Sequence, residues 1–137
     1  MRSGLRQAFA EDPLNLARLR WVEGKIFAGL GKLRRAERIF REVREGFLHR
    51  DQEYDAALVG LELAGVWLQQ DRAEEVRELA QEILEVFEDL GIQSEAVKAV
   101  RYLNQACARS EATAGLIHRI LAFLQRLEWE PRLQFAP

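Results

Sequence analysis

The side chains that could do chemistry are few, and their spacing does not gather them. There are two histidines, His49 and His118, one cysteine, Cys107, and three serines, Ser3, Ser94 and Ser110. Nucleophilic catalysis needs a serine or cysteine beside a base, and hydrolase serines sit between glycines on a sharp strand-to-helix elbow. None of the three serines has those neighbours. One cysteine excludes an intramolecular disulfide and a cysteine-built zinc site, and no glycine-rich loop of the P-loop or dinucleotide type is present. Carboxylates are plentiful. Glu74, Glu78, Glu82, Glu85 and Asp89 recur at spacings of four, four, three and four, which places them along one helical stripe. Such a stripe can attract a metal or a basic partner, but a solvated outer face explains it more simply. Arg34, Arg35, Arg38, Arg41 and Arg44 are interleaved with Glu37, Glu42 and Glu45. That mixture, without a base-reading motif, argues against nucleic acid. No constellation meets the geometric demands of catalysis. The expectation is a protein that is not an enzyme and has no cofactor and no metal.

The bulk composition bounds the class of the chain. The chain has 137 residues, 48% hydrophobic and 31% charged, with a net charge of −2. That is one domain in size and globular in composition, and its balance offers no global attraction to nucleic acid or anionic lipid. No run reaches the ~18 apolar residues of a membrane span. Met1-Arg2-Ser3-Gly4 leads into no signal-like apolar core, so a cytoplasmic location is expected.

The elements that must position any site are helices. The prolines are Pro13, Pro131 and Pro137, and the stretch between the first two is rich in Ala, Leu, Glu and Arg. Asp12-Pro13 reads as an N-cap followed by proline in the first turn. Leu16, Leu19, Val22, Ile26, Phe27 and Leu30 then recur at helical spacing up to a glycine stop at Gly31. The spacing predicts further helices over about 33–48, 53–69, 73–90, 94–108 and 112–127, with Ser94 and Glu95 opening the fifth. A short helix over 2–10 and an irregular tail from Glu128 complete the chain. Short turns favour antiparallel neighbours.

A shift of 40 residues aligns the chain with itself. Gly31, Asp71 and Glu111 then coincide, as do Ala36, Val76 and Leu116, and Phe40, Ala80 and Ile120. Val43 meets Ile83 and Phe123, and Phe47 meets Phe87 and Leu127. In the first helix of each pair Gly24 meets Ala64 and Asn104, and Phe27 meets Trp67 and Cys107. Cys107 therefore reads as a small core hydrophobe. The expected architecture is an all-α solenoid of three antiparallel hairpins, about 14–49, 53–90 and 94–127, in a single domain spanning 1–137. Each hairpin needs a neighbour to bury its apolar stripe. The tail, with Trp129, Leu133 and Phe135, is expected to cap the open C-terminal end.

Gly24, Phe27, Leu30-Gly31, Ala36 and Phe40 resemble the small, aromatic, Leu-Gly, Ala and aromatic positions of the tetratricopeptide repeat. The second hairpin keeps Ala64 and Trp67 but has Asp71 and Val76 where that family prefers Gly and Ala, and the third, with Asn104 and Cys107, is further away. The unit is also longer, at 40 residues, and Arg20 stands where the family's leading Trp would be. The resemblance implies a concave groove lined by the first helix of each hairpin. Its positions here are Arg18, Trp21, Lys25 and Gly29, then Leu58, Leu61, Gly65 and Gln69, then Lys98, Arg101, Gln105 and Arg109. Such a groove is apolar in the middle and basic at both ends, which suits a protein or peptide partner with an apolar anchor and acidic flanks. The implied function is an adaptor or scaffold module, standing alone or as a fragment of a longer regulatory repeat protein. A self-associating structural domain, in which basic and acidic ridges pair into a homo-oligomer, is the alternative. No membrane or nucleic-acid partner is expected.

Overall fold

The structure, a computed structural model, describes residues 12–137. Among them are six helices and no strand: α1 (Pro13–Gly29), α2 (Leu33–His49), α3 (Glu53–Gln69), α4 (Ala73–Asp89), α5 (Ser94–Ala108) and α6 (Ala114–Leu127). The short helix expected over 2–10 lies outside the described residues. The first four helices begin at 13, 33, 53 and 73, so the 40-residue sequence repeat is also a structural one. No helix among the described residues is long and apolar enough to cross a membrane.

The helix ends follow from local chemistry. The Asp12 carboxylate accepts the N–H groups of Leu14 (3.2 Å) and Asn15 (3.4 Å), satisfying donors that the first turn leaves over. At the fifth helix it is the Gln93 side chain, one residue before Ser94, that takes this place, accepting from the Ala96 N–H at 3.2 Å. The sixth helix starts two residues later than its periodicity predicts, because Thr113 caps it through the Leu116 N–H at 3.1 Å. After each of the first five helices one residue turns left-handed: Gly31, Asp51, Asp71, Gly91 and Ser110. The next N–H then donates back to a carbonyl five residues earlier, as from Lys32 to Phe27 and from Arg72 to Trp67, both at 2.9 Å. This closure satisfies the last carbonyls and reverses the chain within three residues.

Consecutive helices pack side by side, and the aligned positions Ala36, Val76 and Leu116, and Phe40, Ala80 and Ile120, are all buried. Gly24 sets the approach of α1 to α2. A Cβ there would stand 2.7 Å from Cε1 of Phe40 and 3.0 Å from Cγ2 of Ile39, both in the core. Gly24→Ala should therefore destabilise by about 1–2 kcal/mol in urea denaturation, the overpacking strain exceeding the better helix propensity of alanine. A stabilised variant would show that α1 can move away without loss.

The third hairpin departs from the expected stack. α3 is the hub: it packs against α1, α2, α4 and also α6, whereas α5 packs on α4 and α6 and not on α3. A Cβ at Gly65 would lie 3.7 Å from Cγ2 of Ile117 and 3.9 Å from Nε2 of His118, so α6 runs close along α3. The cause is apolar surface. α3 is buried on nearly every side, and α6 brings Leu116, Ile117, Ile120 and Leu124, all buried. The tail then closes the C-terminal end. Phe135 sits between Phe123 (5.2 Å) and Tyr102 (5.7 Å), its N–H donates to Glu95 at 2.7 Å, and the Gln93 amide donates to the Pro131 carbonyl at 2.9 Å. Trp129, 81% exposed, takes no part.

Candidate functional site

α1, α3 and α6 enclose a cleft of about 380 Å³. α1 contributes Trp21 and Lys25, one helical turn apart. α3 supplies the floor with Asp55, Leu58 and Glu62, and α6 the far wall with His118, Leu121 and Gln125, closed by Glu128 at its end. Trp21 packs edge-on against Phe47 at 5.9 Å, which holds the indole from behind. Its buried ring N–H has no hydrogen-bond partner among the described residues. The Lys25 ammonium lies over the Trp21 ring, 4.8 Å from its centroid, and 4.0 Å from the Glu62 carboxylate. Arg18 stands 3.9 Å from Asp55 at the rim.

Glu62 is the unusual member. Its side chain is only 15% exposed. Burial pushes its carboxyl above the ordinary value, and Lys25 and His118 pull it only part of the way back. A carboxyl raised in the folded state stabilises the fold fully below its unfolded pKa, and that contribution is lost as pH rises through the folded pKa. Glu62→Gln does not ionise, so it escapes the loss. The variant should be more stable than the parent at pH 7, by less than ~1 kcal/mol for a partly hydrated ion-paired side chain. The gain should shrink on acidification. Melting curves at pH 7 and pH 4 test this, and a destabilised variant at pH 7 would contradict it.

Of the groove positions read from the sequence, Arg18, Trp21, Lys25 and Leu58 meet at this cleft. Leu61 does not: it is fully buried, so no partner can reach it. Gly65 is covered by Ile117 and His118, and Gly29 and Gln69 are exposed away from it. Lys98, Arg101 and Gln105, with Arg109 just past the helix end, form a separate exposed face at α5, where Lys98 pairs with Glu95 at 3.9 Å and Arg101 with Glu88 at 3.7 Å. The continuous groove with two basic ends is thus corrected. α6 lies in its middle, because burying the apolar stripe of α6 on α3 outweighs leaving both faces wet.

Sequence reasoning missed Asp55, Glu62, His118, Gln125 and Glu128. One signal was legible: Glu62 is the only charged residue between Ala56 and Leu68. A carboxylate on an otherwise apolar helix asks for a function or a partner.

Elsewhere the chemistry is sparse. Cys107 is buried, and burial pushes its thiol up, with Arg77 countering only in part, so it is no ready nucleophile. Glu74, Glu78, Glu82, Glu85 and Asp89 are all exposed, and Glu82 accepts from Arg44 at 3.1 Å. Among the described residues no group of three His, Cys, Asp or Glu side chains is arranged to hold a metal. In comparisons with known proteins, the chain matches no family model, no curated protein and no solved structure.

Proposed function

We propose that this chain is a protein–protein interaction module that holds a segment of a partner in the cleft between α1, α3 and α6. The observation that carries the proposal is the composition of the cleft. An aromatic face, a cation above it, a largely buried carboxylate and the apolar side chains of Leu58 and Leu121 line one open depression between three helices. That mixture of apolar surface and a few placed polar groups is what recognition sites use. The tetratricopeptide-like reading supports it, since paired helices at a fixed 40-residue period build the same kind of scaffold.

The partner that fits differs from the acidic segment expected from α1 and α5 together. In the cleft Asp55, Glu62 and Glu128 outnumber Lys25, and Arg18 and Lys25 already face carboxylates. An apolar anchor with a basic group beside it matches this lining. The basic group would take the place of Lys25 over Trp21 and against Glu62. Pull-downs with the chain, with Trp21→Ala and with Glu62→Ala test the reading. Partners retained by the parent and lost from both variants are expected, and an unchanged set would remove the cleft from consideration.

A further inference from the structure

Among the described residues α1 and α2 present a second exposed apolar surface, and the repeat itself shows what it is shaped to receive. In α3 the positions Ala56, Val59, Leu63 and Val66 are buried, and 40 residues later in α5 so are Ala96, Ala99, Leu103 and Ala106. Each set lies on a helix that packs against the one before it, α3 on α2 and α5 on α4. The same positions in α1 are Leu16, Leu19, Glu23 and Ile26. Three of the four are apolar, yet Leu16 is 41%, Leu19 36% and Ile26 56% exposed. Leu30 continues the stripe at 65% exposed. Soluble chains seldom leave so long a run of large apolar side chains in water without a use. Leu16 and Leu19 of the stripe line a groove of about 690 Å³ between α1 and α2, together with Ala17 and Val43.

The polar contacts repeat as well. Two ion pairs join α2 to the next hairpin: Glu37 with Arg72 at 2.9 Å, and Arg44 with Glu82 at 3.1 Å. Forty residues earlier than Arg72 and Glu82 stand Lys32 and Glu42. Arg44 reaches Glu82 by crossing Gly60, whose missing side chain leaves its Nε 3.6 Å from the Cβ position. At the equivalent place in α1 stands Arg20, and its own Nε donates to Glu42 at 3.3 Å. The chain therefore already supplies Glu42 with a guanidinium. Among the described residues Lys32 meets no carboxylate, so it is placed to receive one.

We propose that the α1–α2 face is a docking surface for an amphipathic helix of the α2 kind from a partner protein. That helix carries an apolar stripe against Leu16, Leu19 and Ile26, a carboxylate directed at Lys32, and a small residue over Arg20. It is a helix-in-groove surface, distinct from the cleft around Trp21.

The test uses the full chain and a fluorescent peptide with the sequence of residues 33–49 carrying Arg44→Ala, which keeps the Glu37 carboxylate and removes the guanidinium that would meet Arg20. Saturable binding in fluorescence anisotropy is expected. Ile26→Asp should weaken it at least ~10-fold, since a carboxylate would enter the apolar contact. Because Ile26 is more than half exposed, that variant should keep its helix content and melting temperature. Lys32→Glu should also weaken binding, and the peptide with Glu37→Lys should restore it. Glu62→Gln, in the cleft but on α3, should leave it unchanged, which separates this surface from the cleft. No saturable binding, or binding indifferent to Ile26→Asp, overturns the proposal. So does a concentration-dependent dimer in light scattering that Ile26→Asp abolishes while the parent ignores the peptide, because the occupant is then a second copy.

Discussion

Phe135→Ala should lower the melting temperature by roughly 10–20 °C, the equivalent of about 3–5 kcal/mol for a deleted buried phenylalanine in a chain of this size. Phe135 is ten residues beyond Gln125 in an irregular tail, yet it is 7% exposed. Its ring fills the space between Tyr102 of α5 and Phe123 of α6, and its N–H donates to Glu95 at 2.7 Å. Removing the ring opens a cavity and wets Leu116 and Phe123, which no further helix covers among the described residues. It also loosens the segment that carries the Pro131 carbonyl to Gln93. Aromatic edge contacts of this geometry add to the burial term. Circular dichroism melting checks the expectation. Trp129→Ala is the control: that side chain is 81% exposed and should melt with the parent. A Phe135 variant melting within a few degrees of the parent would show that the tail does not seal the end.

Glu37→Ala should cost about 2–4 kcal/mol, because it strips several donors at once in a half-buried place. The Glu37 carboxylate, 16% exposed, accepts from the Trp67 indole at 3.2 Å, from Arg72 at 2.9 Å and from Arg41 at 3.0 Å. Arg41 and Arg72 also lie over the Trp67 ring, at 5.3 Å and 5.0 Å from its centroid. Arg72 is held in turn by Glu75 at 2.6 Å, and the two carboxylates keep its guanidinium more firmly protonated than usual. One residue of α2 thus ties α3 and the start of α4 to the first hairpin. Burial alone would raise the Glu37 carboxyl, but the bonds from Trp67, Arg72 and Arg41 outweigh it and hold it below the usual carboxylate range. A carboxyl depressed in the folded state contributes stability that is present above its unfolded pKa and lost as pH falls through the folded one. The parent should therefore weaken on acidification below about pH 4.5, the ordinary glutamate range. Glu37→Gln should lose part of the stability at pH 7 and show a flatter acid limb. Urea denaturation at pH 7 and pH 3 measures both, and parallel pH profiles for parent and Gln variant would refute the assignment.

How much of this was written in the residues is best seen element by element. The ends of the helices were legible. Asp12-Pro13, Gly31, Asp71 and Gly91 act through their own backbone conformations and side-chain reach, and local chemistry can be read locally. The hairpin period was legible too, since buried positions must carry apolar side chains wherever the fold repeats. So was the sealing of the C-terminal end by the tail, because a terminal hairpin has to cover its face.

The destination of an apolar face was not legible. Leu16, Leu19, Val22, Ile26 and Leu30 have the spacing of a packed stripe, and in this molecule they face outward. Periodicity reports that a face is apolar, not what covers it. α3 is apolar nearly all round, so its pattern names no preferred neighbour, and the stripe of α6 has two available surfaces. Only the summed burial of the whole chain decides that α6 lies on α3, and that one choice removes Leu61 from any groove, parts Lys98 and Arg101 from Trp21, and brings His118 to Glu62. The sequence by itself determined six helices, most of their ends and their 40-residue period. The tertiary structure decided where the open surfaces are, because a site is made of residues distant in sequence, and their meeting depends on non-local packing that no local spacing encodes.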